Sequence, residues 1–155
     1  MSKIIAKNKR AFFDYLILDK IEAGLVLHGH EVKAVRAGNI NLKGSYVTLK
    51  QTRKNLPEVW LINANIPLYS KANPSLRHDP TRSRKLLLKK SEIRDLIGKK
   101  QEKNLTFVPL TVYSKRGRIK ITVGLGRSKK KTDKREDIKK QEAERSMRRA
   151  LREKY

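Results

Sequence analysis

Apolar and polar positions along this chain fall into two regimes that meet near Gly126. Before it, apolar residues recur in short runs separated by turn residues. After it, only Ile138, Met147 and Leu151 are sizeable aliphatics, with Tyr155 at the end. The clearest signal is Arg118–Leu125, where Ile119, Ile121 and Val123 alternate with Lys120 and Thr122. A period of two places one face in a core and the other in solvent, which predicts a strand. Leu105–Tyr113 precedes it across Ser114-Lys115-Arg116-Gly117, and the two arms predict a β-hairpin. Pro109, inside the first arm, predicts a bulge or an edge position because it has no N–H for the ladder. Phe12–Leu18, Tyr46–Leu49 and Val59–Ile62 predict further strands from their aromatic and β-branched content.

Helical spacing occurs in two places within the first regime. Val32 and Val35 sit three apart within His30–Arg36, and Gly38 can end that helix. Ile93, Leu96 and Ile97 follow the i, i+3, i+4 pattern, with Ser91 as the expected N-cap and Gly98 as a break or end. Short strands with two helices predict a mainly β body, a small closed or half-closed barrel. Among such barrels the OB-like Greek key is the common nucleic-acid binder. The second regime carries only a thin helical stripe of Ala143, Met147, Ala150 and Leu151. A helix this poor in apolar residues is marginal in water. The expected organisation is therefore a barrel over residues 1–126 and a basic tail over 127–155. The tail is expected to be disordered in isolation and to fold on a partner, reaching about 40 Å if helical. Composition alone equally allows a solvated tail with no specific job.

Charge sharpens the picture. Lys and Arg number 39 against 15 acidic residues, a formal net charge of +24. The tail carries +7 and the body +17, so both regimes are cationic. Such self-repulsion fits a polyanionic partner whose phosphates Lys and Arg neutralise. An anionic membrane is the competing polyanion, but no window approaches the roughly 20 apolar residues of a span. The N-terminal MSKIIAKNKR lacks the apolar run and cleavage site of a signal peptide. There are no cysteines, which excludes disulfides and thiolate metal sites and fits a cytoplasmic protein.

Candidate chemistry is sparse. Arg77-His78-Asp79-Pro80-Thr81-Arg82-Ser83-Arg84-Lys85 predicts an exposed loop whose arginines can grip phosphates or stack on bases. Glu22 and Glu31 are acidic islands in a basic chain. Each can pair with neighbouring lysines or accept from base amino groups. Metal binding by His28, His30 and His78 would require them to converge with a second shell, and none is expected. There is no Gly-rich phosphate loop, no Gly-x-Ser-x-Gly elbow and no carboxylate pair at a telling spacing, so no catalysis is expected. Phe12, Phe13, Tyr15, Tyr46, Trp60, Tyr69 and Tyr113 could stack bases, though at strand spacing most are expected in the core.

One ordered set of motifs is specific. Asn8-Lys9-Arg10-Ala11 is followed by Asp14-Tyr15, Glu22-Ala23-Gly24, Gly29-His30-Glu31-Val32-Lys33 and Arg36-Ala37-Gly38. Then come Ser45-Tyr46-Val47, Asp79-Pro80-Thr81-Arg82, Arg84-Lys85-Leu86-Leu87-Leu88, Val108-Pro109-Leu110 and Asp133-Lys134-Arg135. From Asn8 to the tail the chain resembles the small protein B family, the tmRNA-binding proteins of bacterial ribosome rescue. The resemblance implies an OB-like closed β-barrel of about six strands in Greek-key order, with two to three flanking helices and a basic tail disordered when free. It implies binding to the tRNA-like domain of tmRNA and delivery of that RNA to stalled ribosomes for trans-translation. The tail would sense the empty mRNA channel, near the decoding centre. Alanyl-tRNA synthetase and elongation factor Tu would be met only through tmRNA. A monomer without cofactor, metal or membrane partner is implied.

The RNA-binding residues expected on this basis are Lys9, Arg10, Phe13, Glu22, Lys33, Arg36, Arg82, Arg84, Lys85, Leu87 and Lys89. The tail residues expected to meet the ribosome are Lys129, Lys130, Lys131, Asp133, Lys134, Arg135, Ile138 and Lys139. Glu22, Leu87 and Lys89 match positions the family uses against tmRNA, although Lys89 is often Asn in relatives. Phe13 stands where several relatives have His. Thr132 and Ala143 depart from the family's pattern, which weakens any detailed picture of tail stacking. Charge alone would equally allow a ribosomal or initiation-factor-like OB module that binds rRNA. A ribonuclease is the third reading, from a different class.

Overall fold

The computed structural model describes residues 2–53, 56–102 and 105–154; Tyr155, the last residue of the expected tail, lies outside them. In chain order the elements are β1 (Ser2–Lys7), α1 (Lys9–Asp14), β2 (Tyr15–Leu25), α2 (Gly29–Arg36), β3 (Tyr46–Lys50) and β4 (Glu58–Ile62). They continue with β5 (Arg84–Leu87), α3 (Lys90–Lys100), β6 (Leu105–Lys115), β7 (Arg118–Ser128) and α4 (Lys131–Lys154). The protein is thus mainly antiparallel β sheet with several helices. The strands run β1-β6-β3-β4-β5-β2-β7, and β6 also pairs with β7, so six strands return on themselves. The ring is uneven. β6–β7 and β2–β7 are whole-length ladders, whereas β3–β6 rests on Val47↔Phe107 and β2–β5 on Gly24↔Leu87 and Leu25↔Leu86.

The predicted hairpin is β6–β7, which pairs through Lys115↔Arg118. Its two-residue turn needs positive φ at both positions. Arg116 sits at 52° and Gly117 at 75°, the pattern of a type I′ turn. The predicted alternation holds in β7, where Ile119, Ile121 and Val123 are buried. The Pro109 bulge is present, between Pro109 and Thr111. It changes the alternation, so that Phe107 and Val112 face the main core while Val108 and Leu110 face a second cluster with Ala11. Phe12, Tyr15 and Ile17 pack on that second cluster. The close approach needs a bare backbone beneath it. A Cβ on Gly124 would lie 2.7 Å from Leu110 Cδ1, and one on Gly126 would lie 3.0 Å from Tyr15 Cβ.

Several expectations change. Phe12 and Phe13 belong to helix α1, not to a strand, because Asn8 caps that turn by accepting from the Ala11 N–H at 3.2 Å. The same buried Asn8 side chain donates to Pro109 O at 2.9 Å, which anchors the helix to the bulge. The second predicted helix, α3, begins one residue before Ser91. Its first turn is closed by the Lys89 N–H donating to Glu92 Oε1 at 2.9 Å, and Gly98 lies within it. Strands β1 and β5 were not predicted, and among the described residues there are three helices before the tail, α1–α3, and one within it, α4. The expected boundary at Gly126 falls inside β7, which continues to Ser128. Beyond it, where the tail is expected to be disordered in isolation and helical on the ribosome, Lys131–Lys154 form a 24-residue helix, α4.

Candidate nucleic-acid interface

Register decides what the outer face of the sheet presents. Gly24 of β2 is opposite Leu87 of β5 on one side and Lys120 of β7 on the other. Lys120 is in turn opposite Tyr113 of β6, and Tyr113 is opposite Ile4 of β1. Since directly opposed residues share a face, these five form one row across the sheet. Glu22, two residues before Gly24, projects to the same face. Leu87 is 56% exposed and Ile4 66%, so the row carries an exposed apolar side chain at each end, with Lys120 between them and Glu22 and Lys115 beside it. The Tyr113 hydroxyl donates to Glu22 Oε2, and Lys115 Nζ approaches the same oxygen at 3.4 Å. The Tyr113 hydrogen bond, with Lys115 and Lys120 nearby, holds the Glu22 carboxyl below its ordinary range. Burial and the same hydrogen bond push the Tyr113 phenol up to about 12, so it remains a donor at neutral pH. An ionised carboxylate on this face repels phosphate and accepts N–H, which suits a base edge.

The second constellation is buried. Glu31 lies on α2 with Ala34 and Val35, fully inside the protein. It accepts from Arg84 Nε at 2.8 Å and Nη2 at 2.6 Å, from the His28 N–H at 2.9 Å, and from Arg82. Burial alone would raise the Glu31 pKa. The hydrogen bonds from Arg82, the His28 N–H and Arg84 overcome this and hold it at about 2. Arg84 also donates to Ala64 O at 2.7 Å and Pro80 O at 3.0 Å. The expectation that Arg84 binds RNA is corrected here, since its side chain is wholly buried and its donors are used inside the fold. It is the pin of the loop rather than part of its surface. Arg82 shares Glu31 and is 31% exposed, so it remains partly open to a partner.

Around α1 the cations collect over aromatic rings. The Arg10 guanidinium stands 5.5 Å from the Phe13 ring centroid and Lys134 Nζ 5.9 Å from it. Lys7 lies 5.1 Å from Phe12. The start of α4 is fastened here. The Lys129 N–H donates to Asp14 O at 2.8 Å, while Lys129 Nζ donates to Phe12 O at 3.1 Å and pairs with Asp137. Lys134 Nζ lies 3.3 Å from Asp14 Oδ1. A cavity of about 570 Å³ opens between α1 and α4, lined by Lys7, Lys9, Phe13 and Lys140 among others. Lys9 and Arg10 are exposed, as are Lys130, Lys131, Asp133, Arg135, Ile138 and Lys139 on or beside α4.

The other expected residues sit apart from these groups. Lys33 and Arg36 are exposed on α2, where Arg36 Nη2 donates to Gly117 O at 2.8 Å and ties that helix to the hairpin turn. Lys85 is half-buried on β5 opposite Trp60, and Lys89 is exposed at the start of α3. The three histidines do converge. His28 stacks on His30, and His30 Nε2 lies 3.0 Å from His78 Nδ1, whose other ring nitrogen bonds Ile66 O. His30 Nε2 and both His78 ring nitrogens are therefore occupied by one another and by backbone, and burial followed by the His78 neighbour lowers the His30 pKa. Among the described residues no group of three His, Asp or Glu is placed to hold a metal, and no helix is long and apolar enough to cross a membrane. Sequence reasoning passed over Lys115 and Lys120 and treated Tyr113 only as an aromatic. The alternation of β7 marks Lys120 as outward-facing, and hairpin register then brings Tyr113 to it.

Comparison with known proteins gives one consistent result. A family model described as "SmpB protein" matches residues 5–153. An SsrA-binding protein of Thermosynechococcus vestitus is 46% identical over 151 residues, covering 97% of this chain and 96% of that one. The SsrA-binding protein of Anoxybacillus flavithermus is 49% identical over 151 residues, covering 97% and 94%. A solved chain described as "tmRNA-SmpB: a journey to the center of the bacterial ribosome" matches with a TM-score of 0.64 and 43% identity, over 81% of this chain and 85% of that one.

Proposed function

Since the chain belongs to the SmpB family, we propose that it binds the tRNA-like domain of tmRNA and delivers it to stalled ribosomes for trans-translation. The strand ring acts as an OB-like, Greek-key barrel that grips the RNA. Residues beyond it sense the vacant mRNA channel. The protein performs no bond chemistry and works as a monomer in the cytoplasm, meeting alanyl-tRNA synthetase and elongation factor Tu only through tmRNA.

The observation that carries this reading is the register-built face on which Glu22, Leu87, Lys115 and Lys120 stand together. Exposed apolar surface, an acceptor carboxylate and flanking cations are the three contacts that a structured RNA offers to a protein: base faces, base edges and phosphates. Lys9, Arg10, Phe13 and Arg82 extend the contact beyond the row. Lys33, Arg36, Lys85 and Lys89 supply further cations. The tail cations from Lys129 to Lys139 serve the ribosome.

Two measurements test the reading. Sequencing of RNA that copurifies from cells should return one dominant species, tmRNA; a uniform spread of cellular RNA would overturn it. Truncation after Lys130, which spares β7 and the Lys129 anchor, should leave tmRNA affinity largely intact while abolishing tagging. Loss of tmRNA binding in that truncation would reject the division of labour between barrel and tail.

A further inference from the structure

Glu22 is an acid on the outer face of a protein with net charge +24. Nothing in the barrel's packing needs it there, because its side chain is 41% exposed and makes no buried contact. The structure nevertheless reaches across a whole strand to hold it. Glu22 belongs to β2 and Tyr113 to β6, and β7 lies between them, paired to both. The phenol spans β7 at the level of Lys120 and Thr122 to donate to Glu22 Oε2, and Lys115 comes to the same oxygen. Both donors converge on one oxygen of the carboxylate, and among the described residues none donates to Oε1, its second acceptor. A carboxylate on a free side chain samples several rotamers and loses entropy when it meets a ligand, whereas one already oriented does not.

We propose that Tyr113 is a positioning residue that fixes the Glu22 carboxylate, so that Oε1 is presented as the acceptor for a base amino or imino N–H of the bound RNA. Tyr113 thereby sets discrimination among RNAs rather than total affinity, which the phosphate contacts supply. The low Glu22 and high Tyr113 protonation points agree with this geometry, as the carboxylate stays ionised and the phenol stays a donor. The inference rests on the proposed RNA contact of this face.

The test uses the full-length chain and its Tyr113→Phe and Glu22→Gln variants. Each is titrated with a tmRNA tRNA-like-domain transcript and with an elongator tRNA transcript at one fixed salt concentration. The Glu22 carboxyl is followed by NMR from neutral pH into the acid range. Tyr113→Phe should reduce the ratio of the two affinities by about 5- to 10-fold, the scale of one base-edge contact. The salt dependence and thermal midpoint should stay at wild-type values, and the Glu22 titration should move up toward the ordinary carboxylate range. Glu22→Gln should reduce the ratio at least as much. If Tyr113→Phe lowers the thermal midpoint but keeps the wild-type ratio, Tyr113 is only a structural brace and the proposal is overturned. If Glu22→Gln keeps the wild-type ratio, no base is read there and the proposal falls with it. A wild-type protein that does not distinguish the two RNAs rejects the functional reading itself.

Discussion

The barrel and α4 carry charge of the same sign but answer to different physics. In the body, cations decorate a buried apolar interior in which Leu61, Ile66, Val112 and Ile121 are fully buried. In α4 no described residue is buried; Ile138, Met147 and Leu151 are 42%, 68% and 60% exposed. The body can hold a cation or carboxylate at a fixed place because packing has already fixed the backbone beneath it. Among the described residues the bonds that anchor α4 lie at its start, through Lys129 and Lys134 against α1. It presents charge along a rod and has little to hold its far end. The difference teaches that charge selects the kind of partner, while burial decides whether recognition is pre-shaped or completed on contact.

This contrast can be broken first at Glu31. Glu31→Ala strands Arg84 in the interior without its counter-charge, and about 3–5 kcal/mol of stability should be lost, measurable by urea unfolding. The pH dependence follows from the same residue. The Glu31 pKa is lower in the folded state, about 2 against an ordinary 4.5, so its contribution is complete above 4.5 and is lost as pH falls toward 2. Unfolding midpoints measured through that window should drop, and Glu31→Gln should flatten the drop. Next in size is Gly124→Val, which forces a side chain into Leu110 and should cost about 1–3 kcal/mol, read by the same unfolding curve.

The tail side of the comparison predicts smaller effects. Lys129→Ala removes a hydrogen bond to Phe12 O and an ion pair with Asp137. Global stability should fall by about 1 kcal/mol or less, while amide exchange at the start of α4 speeds up. Leu151→Ala should change the unfolding free energy by less than about 0.5 kcal/mol. A larger effect there would mean that α4 packs on the body far beyond its first turns.

Much of the body was legible because it repeats simple periods. The β6–β7 hairpin followed from alternation and a Gly-containing turn, and the two central helices from apolar spacing. What escaped did so for identifiable reasons. Phe12 and Phe13 have strand-forming side chains, but one buried Asn8 side chain capped them into a helix. β1 is half lysine and polar, as suits a strand with one exposed side, so it carries little apolar signal. Arg84 was assigned to the surface because a cation in a turn-rich run is ordinarily solvated. Its partner lies 53 residues earlier in the chain. A signal for it existed, since Glu31 shares the inward face of α2 with Ala34 and Val35 at spacings of three and four. The family resemblance carried Glu22 and Leu87 but not Tyr113, whose tie to Glu22 depends on the registers of two ladders at once.

Among the described residues the ring of strands has two slender fastenings, and the thinner is the Val47–Phe107 rung between β3 and β6. A hoop yields at its thinnest link, so thermal breathing should begin there and leave the long β2–β7–β6 wall standing as a curved plate. That plate carries Glu22, Lys120 and Tyr113, which means the gripping surface can keep its shape while the opposite wall flexes. Deuterium uptake should register the asymmetry as early labelling at Val47 and late labelling at Ile121.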